Sequence, residues 1–111
     1  MTVTSTQSVH PADSRNFAAG RYLSDATAAA FDITTGFKPR YVYVVNLGAT
    51  GLASLEWYEG MADDSARLIV TDGTASLVTS DGITVAADGF TVGLDTDVNI
   101  IAEQLSWIAI G

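Results

Sequence analysis

Apolar residues in this chain come in short β-prone runs, separated by Gly, Asp and Asn. The runs predict strands at about Phe17–Leu23, Ala28–Ile33, Arg40–Leu47, Ala53–Tyr58, Ala66–Val70, Ala75–Thr79, Ile83–Ala87, Phe90–Val92 and Val98–Ile110. Between them stand "NLGATG" (46–51), "TDGT" (71–74), "SDGI" (80–83), "ADGF" (87–90) and "LDTD" (94–97). Three of these carry Asp-Gly pairs, the chemistry of tight turns that need positive φ. "ATAAAF" (26–31) has helical Ala content but is short, uncapped and followed by β-branched residues, so no helix is expected there. Strands spaced near ten residues apart predict an all-β domain, an antiparallel β-sandwich of jelly-roll-like form. The Ser/Thr-rich start, broken by Pro11, predicts an extended N-terminal arm over 1–16, leaving 17–111 as the domain.

Two runs break the alternation that separates core from solvent in an ordinary antiparallel sheet. In "RYVYVVNL", Tyr41, Tyr43, Val45 and Leu47 share one face, and Val42 and Val44 the other. In the closing "VNIIAEQLSWIAIG", Leu105, Trp107 and Ala109 lie on one face and Ile108 and Ile110 on the opposite one. Strands that are apolar on both faces need a second cover. We therefore expect a surface for self-association, most simply a closed ring, formed by Tyr41, Tyr43, Val45, Leu105, Trp107, Ile108 and Ile110.

Composition narrows the chemistry. The 111 residues carry a formal charge of −8 with five basic side chains, a field that repels phosphate and argues against nucleic acid as partner. No cysteine is present, which excludes disulfides and thiolate metal sites. No apolar run approaches the roughly 20 residues of a membrane helix, and the polar start lacks the features of a signal peptide. The expectation is a protein made and used without secretion or membrane insertion.

Catalytic signals are weak. The single histidine, His10, sits in the arm beside Pro11 without a fixed partner. No P-loop or dinucleotide fingerprint occurs. Asp63-Asp64 and Asp95/Asp97 lack the spacing of a calcium hand and read as turns. No enzyme, cofactor or metal is expected. Trp57, Tyr58 and Trp107 have the character of sugar-stacking platforms, which keeps a glycan open as ligand, although strand interiors are the commoner place for such tryptophans.

"GFKPRYVYVVN" (36–46), "EWYEGMAD" (56–63), "TDGT", "TSDGIT" (79–84), "GFTVG" (89–93), "DTDVN" (95–99) and the closing "WIAIG", in this order and spacing, resemble a group of small virion structural proteins of tailed bacteriophages. The resemblance covers Gly36 to Gly111. It implies a capsid decoration or cement protein made in the host cytoplasm. Such a protein is a homotrimer on the capsid surface that binds the major capsid protein and stabilises the shell by non-covalent contacts. The end of the chain, "GFTVGLDTDVNIIAEQLSWIAIG", is similar to the last strands of H-type lectin domains, which are trimeric sandwiches. None of that family's sugar-contacting residues is matched, so this likeness bears on architecture. It leaves a glycan-binding head- or tail-fibre module as the alternative.

Overall fold

The computed structural model describes residues 16–23, 29–48 and 52–111; the expected arm, apart from Asn16, lies outside them. Eight strands carry the regular structure: β1 Phe17–Leu23, β2 Phe31–Thr34, β3 Tyr41–Asn46, β4 Ser54–Tyr58, β5 Ser65–Ile69, β6 Ala75–Ala86, β7 Gly89–Val92 and β8 Gln104–Ile110. The protein is all-β and antiparallel throughout. No helix among the described residues is long and apolar enough to cross a membrane.

In place of two separate sheets, the strands form one curled sheet in the order β1-β8-β3-β4-β5-β6-β7-β2. The reason lies in β6. Its start, Ala75–Val78, pairs with β5, and its end, Ile83–Ala86, pairs with β7. Between them Thr79–Gly82 is looped out opposite the Ser65/Ala66 step. "SDGI", which reads as a hairpin turn, is therefore a bulge inside a single strand. Asp81 takes φ of 58° there. A Cβ on Gly82 would stand 2.6 Å from the Ser65 carbonyl, so a residue without a side chain is required for this close approach. Such a bulge sharpens the local bend and twist. It folds the short limb (the end of β6, β7 and β2) back over the long limb of β1, β8, β3, β4 and β5.

The core lies between the limbs. Val42, Val44, Leu55, Trp57, Leu105 and Ala109 from the long limb meet Ile33, Ile83, Phe90 and Val92 from the short one. Phe90 stands edge-on to Trp107, with centroids 5.5 Å apart and planes at 73°. Tyr22 of β1 stacks on Phe31 of β2 at 4.0 Å, joining the two ends of the sheet. Trp107 fits because Gly20 is its partner across β1 and β8. A Cβ on Gly20 would lie 2.8 Å from Trp107 Cζ2.

The expected last strand from Val98 shortens to Gln104–Ile110. Asp95 accepts from the Asp97 amide at 2.9 Å through Oδ1 and from the Asn99 amide at 2.9 Å through its carbonyl. Asn99 Nδ2 donates to Gly93 O, and Asn46 Nδ2 donates to Val98 O at 2.9 Å. These buried side-chain bonds hold residues 93–99 in turns and seat Val98 in the core.

Candidate interaction surface

The pairing register places outward side chains in rungs across the long limb. One rung is Phe17, Ile110, Tyr41 and Tyr58. The next is Ala19, Ile108, Tyr43, Glu56, Arg67 and Leu77. A third runs Arg21, Ser106, Val45, Ser54, Ile69 and Ala75, with Ser54 buried. Phe17 is 62% exposed, Tyr58 47%, Ile110 44%, Ile108 37% and Leu77 66%. Cross-strand neighbours on one face stand about 5 Å apart. Phe17, Ile110, Tyr41, Tyr58, Ile108 and Tyr43 thus form a continuous apolar and aromatic field, with Leu77 beyond Glu56 and Arg67.

Glu56 organises the middle of this field. Tyr41 Oη donates to Glu56 Oε2 at 2.8 Å and Tyr58 Oη to the same oxygen at 3.0 Å. Arg67 Nη1 bonds Oε1 at 3.0 Å. Burial pushes the Glu56 carboxyl up, but these three donors outweigh it and hold the group below its usual range. Burial, then the bond to Glu56, drives the Tyr41 phenol well above its usual value. A carboxylate held ionised and saturated with donors is a poor proton shuttle. Its role here is to fix two tyrosine rings, whose centroids are 5.2 Å apart, in one orientation.

Beside this cluster Tyr58, Met61, Arg67, Ala75, Ser76 and Leu77 line a groove of about 370 Å³. At the rim Arg40 grips Glu59 through Nε and Nη2 at 3.1 and 3.0 Å. Arg21 and Arg67 offset Glu56 on this face of a chain whose net charge is −8. Asp63, Asp64, Asp72 and Asp97 lie in turns, and Asp81 in the bulge of β6. Among the described residues no group of three or more His, Asp or Glu is arranged to hold a metal ion.

Of the seven residues expected at an interface, Tyr41, Tyr43, Val45, Ile108 and Ile110 share this outer face. Leu105 and Trp107 do not. Leu105 is fully buried, and Trp107 packs on Phe90 and Gly20 inside the curl. Trp57 is likewise a core residue, its Nε1 donating to Ala62 O at 3.2 Å. Phe17, Tyr58 and the Glu56 cluster were missed by sequence reasoning. Alternation in "FAAGRYL" puts Phe17 on one face, but only pairing with Ile110 brings it to the patch. Comparison of the chain with protein-family models, curated proteins and solved structures finds no match.

Proposed function

We propose that this protein is a structural subunit that self-associates as a homotrimer through the outer face of its long limb. In the setting implied by the phage-protein resemblance, it is a capsid decoration or cement protein whose partner is the major capsid protein. The observation that carries this reading is the continuous apolar field of Phe17, Ile108, Ile110, Tyr41, Tyr43 and Tyr58, braced by Glu56. Full burial of one such side chain is worth roughly 1.5–3 kcal/mol. Phe17, Tyr58, Ile108 and Ile110 start 37–62% exposed and each adds about 1 kcal/mol when covered, whereas the half-buried Tyr41 and Tyr43 add less. Association costs about 4–15 kcal/mol in lost freedom, so a single aliphatic is insufficient and a contiguous patch is required.

Sedimentation equilibrium at micromolar concentration tests the self-association. A mass that is a multiple of three subunits and loses that factor of three in Tyr43→Glu or Ile108→Glu, with the fold retained, supports it. A wild-type monomer refutes it. Co-sedimentation with expanded phage capsids tests the setting, and failure to bind refutes the cement role while leaving the trimer untouched.

A carbohydrate reading retains one supporting observation, the groove beside exposed Tyr58. Its natural test is Tyr58→Ala on a glycan array, since Trp57 and Trp107 lie inside. Specific binding lost in that variant would favour a glycan-recognition module.

A further inference from the structure

The two ends of the sheet are treated differently by the sequence. β2 has four residues and carries Asp32 near its middle, which suits a protected edge. β1 has seven residues, FAAGRYL, with no proline, no acid and no bulge in its ladder. Among the described residues β8 is its one strand neighbour.

The free groups of this edge can be assigned. Gly111 N donates to Asn16 O, and Leu47 N donates to Gln104 O. With the register, the first bond makes Ala18, Gly20 and Tyr22 the residues whose backbone groups bond β8. The second confirms that the even residues of β8 bond β3 and the odd ones bond β1. The amides and carbonyls of Phe17, Ala19, Arg21 and Leu23 therefore point out of the sheet edge, and these four residues are exposed.

We propose that β1 pairs edge to edge with β1 of a second copy, antiparallel about a two-fold axis through Gly20. This contact shares Phe17 with the face contact above but does not rest on that contact. Three two-fold registers pair at least three of these four outward residues. Centring on Arg21 sets two guanidinium groups opposite each other. Centring on Ala19 leaves Leu23 unpaired.

Centring on Gly20 sets Phe17 against the partner's Leu23 and Ala19 against the partner's Arg21. It thereby covers the two most exposed apolar side chains of β1, at 62% and 61%, and separates the arginines. The four hydrogen-bonded pairs exchange about eight backbone bonds. At the axis the closely spaced pair is Gly20 with Gly20, where a side chain would collide with the indole of Trp107. The result is one sheet continuous through two subunits, a self-complementary isologous contact.

Cross-linking reads the register directly, because the chain has no cysteine of its own. In the proposed pairing the Cα atoms of Phe17 and the partner's Leu23 are about 5.5 Å apart, within disulfide reach. Two copies of the same position lie about 20 Å apart, six strand residues away. Equimolar Phe17→Cys and Leu23→Cys proteins, mixed and oxidised, should give a dimer band on a non-reducing gel, while either alone should not.

Ala19→Pro removes an amide that β8 does not use and should weaken the pairing by more than about tenfold in sedimentation. Failure of the mixture to cross-link, cross-linking of either single variant alone, or an unchanged mass in Ala19→Pro would each overturn the proposal. Cross-linking that persists in Tyr43→Glu separates this contact from the face contact. Loss of the edge contact with a trimer still present would refute this inference alone.

Discussion

Gly20→Ala is the sharpest test of how the core is assembled. The new methyl would sit 2.8 Å from Cζ2, 3.0 Å from Cε2 and 3.1 Å from Nε1 of Trp107. All three are ring atoms of a rigid side chain that also meets Phe90. The indole must shift by several tenths of an ångström, and its edge-to-face contact, worth about 0.5–1.5 kcal/mol, weakens. Overpacking of this kind costs about 1–3 kcal/mol. The lower unfolded-state entropy of alanine returns about 0.5–1 kcal/mol. The net expectation is a loss of up to about 2.5 kcal/mol, with roughly 4–8 °C in Tm for each kcal/mol lost in a domain of this size.

Urea unfolding at one fixed protein concentration, with the mass of each variant measured by sedimentation, separates the loss from a change in assembly. Repeating Gly20→Ala in a Trp107→Phe background removes the ring atoms that clash. There the methyl should be neutral or stabilising, a coupling of about 1–3 kcal/mol. Equal destabilisation in both backgrounds would refute the claim that Gly20 exists to admit the indole.

Burial, reinforced by the Asp97 and Asp81 carboxylates and partly offset by amide bonds, raises the Asp95 carboxyl above its usual value. The folded state therefore holds its proton more tightly than the unfolded chain, and stability falls as pH rises from 3.8 through the raised value. Asp95→Asn keeps the acceptor for the Asp97 amide and should raise Tm at pH 7, with the gain vanishing near pH 3. Glu56 has the opposite sign: its lowered value stabilises the fold above pH 4.5, and this is lost as pH falls through the folded value. Glu56→Ala removes the acceptor of Tyr41, Tyr58 and Arg67; the exposed Tyr58 and Arg67 turn to water, so the loss should be about 0.5–1.5 kcal/mol at pH 7 by urea titration. Trp57→Ala should cost about 3–5 kcal/mol through a core cavity; a variant that melts like the wild type would place Trp57 outside the core.

Much of the strand layout is legible in local pattern. β1 falls on the expected Phe17–Leu23 without change, β4 and β7 differ by one residue at one end, and β3 and β5 by one residue at both. Alternation also separates Tyr41, Tyr43 and Val45 from Val42 and Val44, as the burial of the latter two bears out. The pattern misleads at Thr79–Gly82, because a positive φ at Asp81 serves a hairpin and a bulge equally well. It misleads again at Val98–Glu103. There, β-prone residues are held in turns by Asp95 and by the side chains of Asn46 and Asn99, the former 52 positions distant from its partner Val98.

The chain by itself thus determined that the protein is β throughout, where most strands begin and end, and which residues share a face. Those properties follow from the two-residue period of a strand and from the φ preferences of Gly and Asp. Only the tertiary structure decided which face is inside and which strands are neighbours. Leu105 and Trp107 turned inward because the bulge in β6 carries Phe90 and Val92 across to cover them. Phe17, Ile110, Tyr41 and Tyr58 became one rung because β8 returns between β1 and β3. Pairing between distant segments leaves no local signature, since any two alternating strands offer each other the same backbone bonds.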